Sequence, residues 1–215
     1  MRLYVIRHGE TDLNVSKRIQ GPLLDPPLNA RGRAQAQALA RRLARDATLP
    51  RPDFLLSSPM KRAAETAEAI VRAASVPWEV DERLIEFDWG VLNGMVDEGA
   101  THQVLRRHVL AWADGDVDQA PDGGESPRRA AERALAALRP RMDIVRPDGV
   151  LAVVAHGRLN KILLAQMVHG APARQEEIHQ HNAAISVLEE TRTGWRVLIA
   201  DDYAHAKNLE GEETV

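Results

Sequence analysis

At 215 residues the chain is long enough for one domain with a substantial buried core. Its 44% hydrophobic and 27% charged content is that of a soluble globular protein, and a net charge of −3 lacks the basic excess that a nucleic-acid surface calls for. The absence of cysteine excludes disulfides, thiol catalysis and thiolate metal sites. No apolar run is long enough to cross a bilayer, and an apolar strand that begins almost at Met1 argues against a cleavable leader, so a cytoplasmic protein without membrane contact is expected.

The first element is the apolar run Leu3-Tyr4-Val5-Ile6, which reads as a buried strand delivering Arg7, His8 and Gly9 at its carboxyl end. In open α/β sheets that end is where ligands bind, and Gly9 permits a sharp turn and close backbone approach there. A long polar loop follows to about residue 28, carrying Asn14, Gln20 and Gly21; loops of that length in compact domains are often functional. Asn29 can cap a helix over about 30–46, whose Ala36, Leu39, Ala40 and Leu43 share one face. A strand at Phe54-Leu55-Leu56-Ser57 leads to Ser58 as a helix cap, Pro59 at the first helical position and Arg62 in the first turn. After that helix a short strand near Val76–Val80 is placed at a sheet edge by Pro77.

Glu86 and Asp88 then sit among apolar and aromatic residues, with Gly90 and Gly94 supplying turns. Over 95–121 the pattern is weak; His102, Leu105, Val109 and Trp112 fall at helical spacing, and His102 and His108 lack companion ligands and read as surface residues. Ser126 and Pro127 start a helix to about residue 142. Val150-Leu151-Ala152-Val153-Val154-Ala155 is the strongest strand signal, and it ends in His156-Gly157, repeating the strand-histidine-glycine arrangement of the first element. A helix over about 157–168 and strands near 184–190 and 195–200 complete the chain, with His179, His181 and His205 carrying no functional signal and a frayed tail from 208 to 215.

These segments together resemble the histidine phosphatase superfamily, the phosphoglycerate mutase-like proteins. The residues that carry the resemblance are Arg7-His8-Gly9-Glu10-Thr11 with Asn14, the run Arg18-Ile19-Gln20-Gly21, Ser57-Ser58-Pro59 with Arg62 and Thr66, Leu84 with Glu86 and Gly90, Gly124-Glu125-Ser126, and His156-Gly157. The resemblance implies a single α/β domain, a three-layer sandwich with a mostly parallel central sheet flanked by helices. It implies catalytic roles for His8, Glu86, Arg7, Arg62 and His156, with Glu86 rather than Asp88 as proton donor, and places Glu125 near the pocket. Asn14, Gln20, Gly21, Gly157 and Arg158 are expected to touch substrate, and 87–121 to cover the site. Neither metal nor cofactor is implied.

Two arginines and two histidines suit a compact anion, because the guanidinium fork matches phosphate oxygens. No Gly-x-x-x-x-Gly-Lys-Ser/Thr loop and no Gly-x-Ser-x-Gly elbow is present, which disfavours nucleotide-triphosphate and serine-hydrolase chemistry. The expected reaction is metal-independent hydrolysis of a small phosphorylated metabolite through a phosphohistidine. A cofactor-dependent phosphoglycerate mutase is the nearest alternative, disfavoured by a short segment between Glu86 and His156, and a non-catalytic phosphate-binding module is the other. Three positions depart from the family pattern. Leu13 stands where tryptophan is frequent, Leu92-Asn93 replaces a Trp-Glu pair frequent among the phosphatases, and Arg158 stands where a small residue is common. An exposed edge strand would allow pairing in a homodimer, but no such strand is identifiable from the residues.

Overall fold

The computed structural model describes residues 1–145 and 147–210. Its centre is a six-stranded sheet of strands β1 (Arg2–Arg7), β2 (Phe54–Ser57), β3 (Trp78–Val80), β4 (Val150–Ala155), β5 (Ile185–Thr191) and β6 (Gly194–Asp202), in the order β3-β2-β4-β1-β5-β6. The first four are mutually parallel, and β5 and β6 run antiparallel to their neighbours. Side chains alternate across a strand, so β1 sends Leu3 and Val5 to one face and Tyr4 and Ile6 to the other. All four are fully buried, which explains why the sequence shows a continuous apolar run there rather than alternation.

Helices α2 (Ala30–Arg45) and α3 (Lys61–Ala74) cover the Tyr4 and Ile6 face with Leu39, Leu43, Ala63 and Ile70. Helices α5 (Pro127–Ile144) and α6 (Gly157–His169) cover the other with Ala134, Leu138, Ile162 and Leu163. Alanines at the helix surfaces let the backbones approach closely, and each fully buried leucine contributes about 1.5–3 kcal/mol. The mixed α/β, three-layer expectation is met. So are the caps: Asn29 accepts from the Gly32 N–H at 2.8 Å, and Ser126 accepts from the Arg129 N–H.

Four local expectations change. The 11–28 loop contains a one-turn helix, α1 (Asp12–Val15), closed by a capping box between Thr11 and Asn14. Ser58 does not cap α3: that helix begins two residues later, with Met60 at the cap position and no side-chain cap bond. The short helix that the spacing of His102, Leu105, Val109 and Trp112 suggested is present and longer than expected, α4 (Gly99–Ala113, 15 residues), and within it Trp112 packs edge-on against Phe87, ring centroids 5.6 Å apart. Phe87 and Trp112 are core, Trp89 reaches the cavity described below, and Met95 is exposed. Near the end, Lys207–Glu210 forms a short 3-10 helix where a frayed tail was expected; residues 211–215 lie outside the described residues. The outer edge that the sequence left unidentified is β6, nine residues long with Val197 and Leu198 exposed.

Candidate active site

Strand register brings the two histidines together. Arg7 of β1 pairs with Ala155 of the adjacent parallel β4, so His8 and His156 leave neighbouring strands at one level. Their rings meet edge to face with centroids 5.3 Å apart. On the other side of β4, Ser57 of β2 pairs with Val154, which puts Ser58 at the same sheet end. Its hydroxyl lies 2.8 Å from His156 Nε2. This contact gives Ser58 a place in the site in exchange for the cap position that the sequence suggested.

The ring of His8 is oriented by its own turn. Nδ1 lies 2.6 Å from the Gly9 carbonyl, which only a donor can satisfy, so Nδ1 carries the proton and Nε2 keeps a lone pair. The chain must bend tightly here: a Cβ on Gly9 would lie 2.4 Å from the Gly32 carbonyl oxygen, so no other residue fits. The Gly9 N–H donates to Thr66 Oγ1, whose hydroxyl donates to the Arg62 carbonyl, tying the turn to the first turns of α3.

Both arginines are braced by backbone carbonyls. Arg7 Nη1 donates to Gln180 O at 2.5 Å. Arg62, fully buried, donates from Nη1 to Leu24 O at 3.0 Å and from Nη2 to Gly21 O at 3.4 Å, with the Asp25 carboxylate 3.9 Å away. Arg7 Nε, Arg62 Nε and His156 Nδ1 are buried with no protein hydrogen-bond partner. Gly157 leaves room for Arg7: a Cβ there would lie 3.1 Å from Nε, a tight contact that would require the guanidinium to shift by a few tenths of an ångström.

Glu86 faces the same cavity from the loop before the short 3-10 helix Gly90–Leu92. Its Oε1 accepts from the Phe87 N–H at 2.8 Å and the Leu159 N–H at 3.0 Å, and Oε2 accepts from the Arg158 N–H at 3.3 Å. The carboxylate thus sits on the amino end of α6, where free N–H groups and the helix dipole favour an anion. Asp88 is spent on its own turn, accepting from Gly90 and Asn93. Glu125 does not line the cavity. It accepts from the Asp88 N–H at 3.1 Å and pairs with Arg133, which also donates to the carbonyls of Arg83 and Ile85. The Glu125–Arg133 pair therefore holds the loop that carries Glu86.

A cavity of about 550 Å³ is lined by Arg7, His8, Asn14, Gln20, Gly21 and Glu86, and also by Gly157 and Arg158. All five residues expected to touch substrate are therefore on its wall, while Arg62 and His156 lie behind it, inaccessible to solvent. α4 forms part of the cover, contributing His102, Leu105, Arg106 and Val109. Asn14 is fixed in one orientation: its Oδ1 accepts from the Thr11 N–H at 3.0 Å and from Asn182 Nδ2 at 3.3 Å, which directs its own amide NH2 elsewhere. Gln180 and Asn182 were missed by sequence reasoning. The Asn182 amide also donates to the His8 carbonyl at 3.1 Å. They reach the site because β5 runs antiparallel beside β1, and no local pattern in 178–184 announces that.

Burial pushes the His8 imidazole pKa well below its usual 6.5, and the Arg62 and Arg7 guanidiniums push it further the same way. His156 is depressed likewise, by burial first, then by Arg62 and His8. Burial also lowers both arginines, against the opposing pull of Glu86. The consequence for stability has a definite sign. Below about pH 6.5 an unfolded chain protonates both histidines while the native chain keeps them neutral. Stability is intact above that pH and falls as pH drops below it, by up to about 1.4 kcal/mol per pH unit for each histidine. Melting temperatures measured between about pH 7.5 and about pH 5.5 should therefore fall less steeply for His156→Gln than for the wild type; parallel slopes would contradict the assignment.

The sequence pattern of the histidine phosphatase superfamily (branch 1) matches residues 3–202. The chain belongs to that superfamily. Among relatives of this histidine phosphatase, a probable phosphoglycerate mutase GpmB of Proteus mirabilis is 33% identical over 99% of this chain and 98% of its own. A mycobacterial glucosyl-3-phosphoglycerate phosphatase, solved in complex with VO3, is 32% identical, with a TM-score of 0.77 over 93% of this chain and 98% of its own. The α-ribazole phosphatase of Shigella flexneri is 25% identical, with a TM-score of 0.73 over 94% of this chain and 97% of its own. These two structural relatives are named phosphatases, while the Proteus mirabilis relative carries a mutase name. Among the described residues of this superfamily member no group of three or more histidines and carboxylates is placed to hold a metal ion, and no helix is long and apolar enough to cross a membrane.

Proposed function

We propose that the chain is a phosphomonoester hydrolase that works through a phosphohistidine on His8. The observation that carries this reading is the His8 tautomer: Nδ1 is committed to the Gly9 carbonyl, which leaves Nε2 as a neutral nucleophile in a site where Arg7 Nε, Arg62 Nε and His156 Nδ1 are buried without protein partners. Nε2 attacks phosphorus, the ester P–O bond breaks, and Glu86 delivers a proton to the departing alcohol oxygen. Water then gives a proton to Glu86 and attacks the phosphohistidine, the P–N bond breaks, and inorganic phosphate leaves. Arg7, on the cavity wall, donates to the non-bridging oxygens, and the buried Arg62 charge behind it adds to the positive field there, where most of the stabilisation in phosphoryl transfer arises. Ser58, its hydroxyl 2.8 Å from His156 Nε2, holds that imidazole in place. The depressed histidine pKa values keep the nucleophile unprotonated at neutral pH.

The substrate is a small organic phosphate of a size to fit the cavity, with α4 as its cover. Phosphate release from a panel of phosphomonoesters, in the presence of chelator, tests the reaction. Release that survives chelation is the expected result; release abolished by chelator would overturn the mechanism. The mutase reading is kept open by the name of the Proteus mirabilis relative. Interconversion of the two monophosphoglycerates on priming with 2,3-bisphosphoglycerate, at a rate exceeding phosphate release, would favour it.

A further inference from the structure

The mechanism leaves several charged residues of the cavity wall unused, among them a cluster on and beside α6. Arg158, at the position where the family commonly has a small residue, does not point away into solvent. Its guanidinium lies 5.1 Å from the centroid of the Trp89 ring, donates to Gln175 Oε1 at 3.0 Å and pairs with Glu176. One turn further along α6, the Lys161 ammonium reaches the other oxygen of the same carboxylate at 3.4 Å. Two cations therefore share one carboxylate in a half-buried wall, and Trp89, Arg158, Lys161 and Glu176 all line the cavity. Burial first, and then the neighbouring Arg158 charge, lower the Lys161 pKa, against the opposing pull of Glu176.

The position of this pair relative to the reaction follows from Glu86. The same residue whose side chain carries the extra cation donates its backbone N–H to Glu86 Oε2. If Glu86 serves the departing alcohol, the backbone of α6 that carries Arg158 lies on the leaving-group side. We propose that Arg158 and Lys161, sharing Glu176, form a subsite that selects phosphomonoesters whose alcohol part bears a carboxylate. Within the cluster, two cations against one carboxylate leave one net positive charge, which a single carboxylate balances. This inference rests on the proposed hydrolase reading for the direction of the substrate, but its test does not depend on turnover.

Phosphoglycolate and 2-hydroxyethyl phosphate are matched in length and differ in a carboxylate against a neutral hydroxymethyl group. Their affinities are measured by titration calorimetry on His8→Asn, which cannot turn them over by the proposed route. The expected preference for phosphoglycolate is at least about tenfold, the usual worth of one charge-assisted hydrogen bond. Adding Lys161→Met should collapse that preference to about twofold or less, and adding Lys161→Arg should restore it. Adding Glu176→Gln should widen it, because the competing carboxylate is gone. Were the cluster merely a tether for residues 172–177, Glu176→Gln would lower the melting temperature and leave the ratio alone. Equal affinities for the two esters, or a ratio indifferent to Lys161→Met, overturn the subsite. Phosphate release by the wild type from the same two esters is read separately: no release with the preference intact overturns hydrolysis and leaves the subsite standing, and release with equal affinities does the reverse.

Discussion

His8→Ala is expected to reduce phosphate release by at least about 10⁴-fold, because removing a covalent nucleophile leaves only what binding and charge stabilisation can supply. The result should come without a matching loss of ground-state binding. His8 is buried and its side chain makes one hydrogen bond, to the carbonyl of the next residue, while the guanidinium groups are braced by other elements: Arg7 by Gln180, Arg62 by Leu24 and Gly21. Inorganic phosphate should therefore still bind the variant, and its thermal unfolding should show a native fold. Rapid acid-free quenching of the wild type with a radiolabelled ester should trap label that is stable to alkali and labile to acid, as expected of a phosphohistidine, and His8→Ala should trap none. Label retained by His8→Ala would move the nucleophile elsewhere. Turnover retained by the variant would reject covalent catalysis at this histidine altogether.

The second large effect belongs to Glu86. Glu86→Gln should lower kcat for alkyl phosphates by about 10²–10⁴-fold, the range found for a general acid. The loss should shrink sharply with an aryl ester whose phenolate departs without protonation. A uniform loss across leaving groups would show that Glu86 binds rather than donates a proton. Because its two oxygens accept three backbone N–H groups, one of them at 2.8 Å, the amide would present a donor to at least one of these N–H groups, and some loss of melting temperature is expected as well. Comparing the two kinds of ester on one protein sample separates the chemistry from that structural cost.

The carbonyl contacts around Arg7 and Arg62 illustrate how the site is assembled. Each arginine comes from an element that the sequence marks clearly, yet each is aimed by a loop that the sequence does not. Arg62 was expected in the first turn of a helix and is there, but the direction of its fork is set by backbone carbonyls some forty residues upstream in the chain. The same holds for Glu86, whose loop is held by Arg133 and Glu125 from the start of α5. Substituting such braces acts on geometry, not on the reacting groups.

The sequence by itself determined the strands that end in Arg7-His8 and in His156 and the helix whose first turn holds Arg62, while the family resemblance of its motif singled out Glu86 over Asp88, and Glu86 is the one on the cavity wall. These are local signals: an apolar run stops at a polar group, or a motif keeps its spacing, and backbone periodicity is enough to place them. Only the tertiary structure decided what surrounds them. Ser58 reads as a helix cap and instead meets His156. The resemblance places Glu125 near the pocket, and the structure gives it the task of clamping the loop that carries Glu86. Gln180 and Asn182, with no periodic pattern around them, reach the first turn of the chain because β5 pairs with β1 across more than 170 positions of sequence. Contacts of that kind depend on strand order and register, which arise when two distant segments bury their apolar faces against one sheet, and no window of neighbouring residues carries that information.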